Sequence, residues 1–368
     1  MVIRRLQMKL KLFWPNDNEL HPVVTTIHAI YSVMKTTRNY TTYLILFNLF
    51  VFTGSVFIGR YPISVPDILS VIGHVFGSDV AESHQLIHTV IFKVRIPRIM
   101  IAMVIGAGLG ITGATFQGVF KNPLVSPYIL GVSSGGGFGA ALAILLCNDV
   151  IWIQLSAFVF GMIAVGLSLL TARLGFRMST YTLVLSGIVV GSFFSAMISL
   201  LKYVADTYTK LPAIVFWLMG SLAAVNVRDM LITAPVTLIC IGVLIMLRWR
   251  INILSLGSGQ ARELGLNTTA LYITIITCST MIASSIVAVA GIIGWVGLVV
   301  PHLCRMIVGA DHTRLLPASA LMGSAYMLIV DDVARASVGQ EIPLGIVTAV
   351  IGAPFFAYLL RRNQGGKG

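Results

Sequence analysis

Charge is scarce in this chain: Asp, Glu, Lys and Arg make up only 10% of its 368 residues, against roughly 25% in an ordinary soluble domain. A surface so poor in ions cannot face water over most of its area, which excludes a soluble globular protein. Cysteine is nearly absent too. Cys147, Cys240, Cys278 and Cys304 are scattered in or at the ends of apolar segments with no CxxC, which leaves no disulfide framework or thiolate metal site and makes four small buried hydrophobes the expectation. No GxxxxGK[ST] string occurs, so the chain cannot cradle ATP phosphates in that way, and ATP-driven work needs a partner. His84 and His88 are four apart but have no third ligand spaced with them, and neither a metal nor another cofactor is expected in the chain itself.

What is present is hydrocarbon: 57% of residues are hydrophobic and the mean hydropathy is +0.92. A helix needs about 20 mostly apolar residues to cross a bilayer, because each backbone N–H and C=O must be satisfied within the segment. Ten such segments occur, near 41–59, 98–119, 125–147, 150–172, 182–203, 230–248, 268–290, 292–308, 316–332 and 344–360. The fold class is therefore all-α and polytopic. Lys121, Asn122 and Pro123 separate the second segment from the third, Asn148 and Asp149 the third from the fourth, and residues 173–180 the fourth from the fifth.

Ten crossings put both termini on one side, and the loops can be sorted by charge. One face collects seventeen of the 25 Lys and Arg residues with four acidic residues; the other collects eight basic and nine acidic residues. The first face is cytoplasmic by the positive-inside bias, so the net charge of +12 is a topology signal and not a nucleic-acid footprint. Residues 1–40 read as a basic cytoplasmic leader, since Met1 to Asn39 contains no apolar core of signal-peptide length. Residues 41–362 read as a single transmembrane domain and 363–368 as a cytoplasmic tail.

Gly108, Gly110 and Gly113 satisfy GxGxxG, but they lie inside an apolar span with no βαβ unit, so the dinucleotide reading fails. Gly106, Gly110 and Ala114 instead form a small-xxx-small face that lets another helix approach closely. Asn122, Pro123 and Pro127 mark a kink whose freed backbone groups Asn122 or Ser126 can satisfy.

Four strings stand out at membrane depth: RIPRIMIAMVIGAGLGITGATFQGVFKNPLVSPYILGVSSG from Arg95 to Gly135, SLGSGQARELGLN from Ser255 to Asn267, VAGIIGWVGLVVPHLCRMIVGADHTRLLPASALMG from Val289 to Gly323, and EIPLGIVTAVIGAPFFAYLLRR from Glu341 to Arg362. In order and separation they resemble the FecCD family of permeases, the membrane subunits of ABC importers for vitamin B12, haem, ferric siderophores and related metal chelates. The resemblance covers roughly residues 45 to 362, and the leader falls outside it.

The resemblance implies a homodimer with its translocation path on the shared axis, in the cytoplasmic (inner) membrane of a prokaryote. Two ATP-binding subunits, carrying ATP and Mg, would sit below and an extracytoplasmic substrate-binding protein would dock above. It implies that Arg95 and Arg98, with Arg335 of the string DDVAR, pair with glutamates of that binding protein. Asp331 and Asp332 could instead neutralise Arg335 within the loop. The coupling helices, near 253–267, match at Ser255, Leu256, Gly257, Ala261, Arg262, Glu263, Leu264 and Gly265. There Ser255 can cap, Gly257 and Gly259 allow a turn, Ala261 and Leu264 offer an apolar face, and Gly265 ends the element. The inner gate matches at Ser179 and Thr180, followed along the fifth span by Gly187, Gly191, Ser192 and Ser195, which face either the pathway or a tightly packed neighbour. His302, Asp311, His312 and Arg314 read as loop order and ATPase contact. The cargo expected first is a ferric siderophore, with haem, cobalamin or molybdate as alternatives.

Two other classes remain for comparison. An ion-coupled secondary transporter would carry ionisable residues near the middle of its spans, whereas most acidic residues here fall in loops or near span ends. A membrane-embedded enzyme would cluster His, Asp or Cys at one depth, and no such spacing occurs.

Overall fold

The computed structural model describes residues 40–59, 61, 63–64, 66, 82–173, 180–336 and 341–364; the leader, Ser179 and the last four residues lie outside them. Among the described residues every regular element is helical. In chain order these are α1 (Tyr40–Phe57), α2 (Glu82–Thr89), a π-helical turn (Val90–Arg95), α3 (Ile96–Val119), α4 (Val132–Leu146), α5 (Val150–Arg173), α6 (Thr180–Val204) and α7 (Lys210–Met219). They continue with α8 (Val227–Met246), α9 (Arg248–Leu256), α10 (Ser258–Glu263), α11 (Thr268–Ala290), α12 (Val296–Val308), α13 (His312–Ala336) and α14 (Leu344–Gln364).

A helix stands at each of the ten expected segments. Among the described residues seven spans are long and apolar enough to cross a bilayer: α1, the run from Leu86 to Val119 through α3, α5, α6, α8, α11 and α13. The other three are α4, α12 and the apolar part of α14 to Tyr358. With 15 and 13 residues, α4 and α12 reach only about 20 Å at 1.5 Å per residue, short of a hydrocarbon core of about 30 Å. Irregular backbone makes up the difference. Residues 120–131 lead into α4 and 291–295 into α12; Val125, Leu130 and Ile293 within them are fully buried, so beyond the exposed residues 121–124 this backbone is enclosed by protein and not by lipid.

The break ahead of α4 is closed as the sequence suggests. The Leu124 N–H donates to Asn122 Oδ1 at 2.9 Å and the Tyr128 N–H to Ser126 Oγ at 3.2 Å. Gly131, at φ 82°, makes the final turn into α4. Two helices were not anticipated: α2, between the first and second expected segments, and α7, which lies in what read as a loop and packs its Ile214 into a second core with Phe138, Ile144 and Ile198.

The core centres on α3, nearly every residue of which is buried. Close backbone approach fixes its neighbours. A Cβ on Gly106 would overlap the Gly323 carbonyl of α13, one on Gly110 the Ser319 carbonyl, and one on Gly113 the Gly297 carbonyl of α12. Gly110 and Gly113, two of the three glycines that mimic a dinucleotide fingerprint, are thus helix-crossing points. At the other end Pro97 occupies the first turn of α3 behind the π turn. Proline has no N–H to give the preceding turn, and the wider π turn takes up that mismatch.

Candidate functional site

Arg95 and Arg98 flank Pro97 at the start of α3, and Arg335 lies in the last turn of α13. The crossing of α3 with α13 brings these ends together. All three residues are buried, with relative exposures of 4%, 7% and 4%. Arg98 makes a fork with Asp331, Nε and Nη2 donating at 2.9 to 3.1 Å, while Nη1 and Nη2 donate to Glu341 at 3.0 and 2.9 Å. Arg335 donates to Asp332 and to the backbone and hydroxyl oxygens of Ser55, and its Nε lies 3.7 Å from Asp331. Arg95 donates to the carbonyls of Val56 and Tyr61. Asp331 and Asp332 are thus internal partners of Arg98 and Arg335, the neutralisation weighed for Arg335 from the sequence. Desolvated arginines at the end of an apolar bundle need carboxylates or carbonyls, and the chain supplies both.

At the opposite end of α3, about 30 Å away by helical rise, stand α9 and α10. The expected coupling string forms two short helices hinged at Gly257, whose φ and ψ are both 150°. Only glycine adopts that conformation readily. The pair ends in a Schellman motif: the Gly265 N–H donates to Arg262 O at 2.9 Å, the Leu266 N–H donates to Ala261 O at 3.0 Å, and Gly265 has φ 78°. Ser255 does not cap; it sits in the last turn of α9 and donates to Asn252 O at 2.7 Å. Ala261 is fully buried against the bundle, whereas Leu256 and Leu264 are exposed. Arg262 Nε donates to Thr268 Oγ1 at 3.1 Å, which turns the residue toward α11. Glu263 is exposed.

Sequence reasoning missed how this pair is fastened. Asn252 Oδ1 accepts from the His312 N–H at 3.0 Å and lies 3.3 Å from His312 Nδ1. His312, read from sequence as a loop contact, is only 5% exposed, and its ring fills the space over Gly118 of α3. Lys121 Nζ donates to Leu256 O at 2.6 Å. Arg305 and the Gly297 carbonyl meet at Gln117 in the last turn of α3, through Oε1 and Nε2 respectively. The string DHTR did carry a signal, because Asp311 accepts from the Thr313 N–H and hydroxyl at 2.9 and 2.8 Å, as a residue opening a helix does. Burial opposes ionisation of Asp311, yet those hydrogen bonds, with Arg314 and His312 nearby, hold its carboxyl below the usual range.

Of the gate residues, Ser179 lies outside the described residues, and Thr180 opens α6. Gly187 and Gly191 meet the turn before α4: a Cβ on Gly187 would overlap the Ile129 carbonyl, while one on Gly191 would sit 3.7 Å from Ser134 Oγ. The Ser195 hydroxyl donates to Ser134 Oγ at 3.4 Å, and Ser192 is exposed. Gly187 and Gly191 therefore form a packing face against the turn into α4, while Ser195 stays exposed. Cys240, Cys278 and Cys304 are buried as expected, but Cys147 is exposed, since it terminates α4 where the chain turns out of the bundle.

Comparison with known proteins agrees across most of the chain. Residues 45–362 match the FecCD transport family. The molybdate import system permease protein MolB of Haemophilus influenzae is 43% identical over 84% of this chain and 91% of its own length. The cobalamin import system permease protein BtuC of Halobacterium salinarum is 39% identical over 77% and 76%. A solved inward-facing structure of a transporter assigned to the metal-chelate ABC type superposes with a TM-score of 0.79 at 40% identity, covering 89% of this chain and all of the other.

Proposed function

The chain belongs to the FecCD transport family and is a multi-pass ABC permease, a transport subunit and not an enzyme, and on that premise we propose that it imports a metal chelate into a prokaryotic cytoplasm by alternating access. Two copies enclose the path on their shared axis, two ATP-binding subunits with ATP and Mg drive it from below, and a substrate-binding protein delivers cargo from above. The ferric siderophore class is the first cargo to test. A molybdate-type oxyanion is the second, favoured by 43% identity to a permease of that name.

The observation that carries this reading is the α9–α10 pair. It presents Leu256 and Leu264 outward while being bonded to α3 and α13 from behind. An exposed apolar element seated rigidly on two central helices suits a part that receives motion from a separate ATPase. The gate around Ser179 and Thr180 and the packing face of α6 would then follow that motion. Docking through Arg95, Arg98 and Arg335 would proceed by exchange of their internal partners for carboxylates of the binding protein, giving register and on-rate more than affinity.

The test is reconstitution in proteoliposomes with the cognate ATPase and binding protein, with uptake of labelled ferric siderophore, haem, cobalamin and molybdate measured in parallel. ATP-dependent accumulation of one cargo is the expected result. Uptake that proceeds without the ATPase, driven by a proton or sodium gradient, would overturn the importer reading.

A further inference from the structure

A cavity of about 680 Å³ opens among α5, α6, α10 and α11, at the ends that the charge count assigns to the cytoplasm. Its size is that of a small-molecule site, about 300 to 1,000 Å³. The lining changes with depth. Arg173, the last residue of α5, and Arg262 of α10 stand at the mouth with Ser258 and Thr268. Successive turns of α11 then present Tyr272 and Ile276, so the wall runs about 12 Å inward from Thr268 by helical rise. Leu169 lines it one turn inward from Arg173.

Charge is therefore stacked above a largely apolar wall, interrupted only by the hydroxyls of Tyr272 and, at its deep end, Thr277, as a phospholipid headgroup stands above its chains. Neither Arg173 nor Arg262 forms an ion pair among the described residues, and no carboxylate is among the lining residues. Arg262 has used only Nε, on Thr268, which leaves the rest of its fork for an anion. The outer wall is continuous with exposed apolar side chains, Leu170 on α5 and Ile273 on α11. Acyl chains can leave the cavity sideways along them.

We propose that this cavity is a site for an anionic phospholipid of the inner leaflet, its phosphate between Arg173 and Arg262 and its chains along Leu169, Ile273 and Ile276. Basic pockets between membrane helices on the cytoplasmic side suit such headgroups, because attraction at the low-dielectric interface adds to the burial of the chains. The hydroxyls of Ser258 and Thr269 are further donors for phosphate and ester oxygens. The site lies beside α10, so occupancy would bear on the element proposed to meet the ATPase, whatever the cargo.

The test is native mass spectrometry of the full-length permease after exchange into micelles containing equal phosphatidylglycerol and phosphatidylcholine. Wild type is expected to retain phosphatidylglycerol in roughly tenfold or greater excess. The double variant Arg173→Gln with Arg262→Gln is expected to lose that preference, whereas Arg248→Gln with Arg250→Gln, outside the cavity, keeps it. Ile273→Trp, which fills the cavity and leaves both arginines, is expected to lower retention of the lipid; this keeps the question answerable if the charge variants fail to fold. Equal retention of the two lipids by wild type, or an unchanged preference in the Arg173/Arg262 variant, would overturn the site. Displacement of phosphatidylglycerol by millimolar inorganic phosphate would show a free-anion site and overturn the lipid assignment.

Discussion

The imidazole of His312 covers Gly118, so that a Cβ on residue 118 would overlap the ring. This contact joins the last turn of α3 to the first residue of α13 and, through Asn252, to α9. Both partners are rigidly held, and neither can withdraw cheaply. Gly118→Ala should cost about 1 to 3 kcal/mol through overpacking, visible as a drop of several degrees in the melting midpoint of the purified permease. Adding His312→Ala should recover part of the loss, because the ring is what the methyl group meets. An unshifted midpoint in the single variant would show that the ring yields.

Asn252→Leu keeps bulk and removes both the acceptor for the His312 N–H and the oxygen that lies 3.3 Å from its Nδ1. If α9 transmits motion through this bond, cargo moved per ATP hydrolysed should fall severalfold while ATP hydrolysis by the assembled complex persists. Parallel measurement of uptake and phosphate release separates this from simple misfolding, in which both fall together. An unchanged ratio would mean that Lys121 and the buried face around Ala261 suffice to seat the element.

Gly257 offers a sharper test of the same element. At φ 150° and ψ 150° an alanine is strained by about 1 to 3 kcal/mol, and its methyl would also overlap Gln260 Oε1. Gly257→Ala should lower the melting midpoint about as much as Gly118→Ala does, but, because the strain falls on the junction of α9 and α10, it should weaken co-purification of the ATPase far more. Gly259→Ala is the control: it lies within α10 with open space around it, and alanine there should leave co-purification intact.

The spans and the breaks between them were legible because burial in lipid demands long apolar runs, and runs are a property of sequence. The helix at Lys210–Met219 was not, since its apolar run from Leu211 to Met219 is too short to cross a bilayer and so read as part of the loop between spans. The depth of α4 and α12 was hidden for a related reason. Their segments are mostly apolar, and hydropathy cannot tell helix from irregular backbone enclosed by protein. Among the site residues, the hinge at Gly257 and the stop at Gly265 followed from the residue type. The inward turn of Arg98 and His312 did not, because their partners Asp331, Glu341 and Asn252 lie 60 or more positions away in the chain.

Arg98 and Asp331 allow the internal and docking roles to be separated. Their fork is buried, so removing one partner leaves an uncompensated charge in a site that cannot solvate it, at a cost of about 3 to 5 kcal/mol. Arg98→Gln and Asp331→Asn should each lower the melting midpoint markedly, and the apolar pair Arg98→Met with Asp331→Leu should recover most of it. The exchange Arg98→Asp with Asp331→Arg, made together with Glu341→Gln so that the new carboxylate does not meet Glu341 and with Asp332 still balancing Arg335, keeps an opposite-charge pair while moving the cation from α3 to α13. If Arg98 serves only to join the two helices, the exchanged permease should be both stable and stimulated normally by the binding protein. If the guanidinium also changes partners on docking, stability should return while stimulation of ATP hydrolysis does not, because the cation no longer projects from α3. Raising the ionic strength would then slow association in wild type more than in the exchanged form, since screening acts on charges that meet across water and much less on a pair already buried.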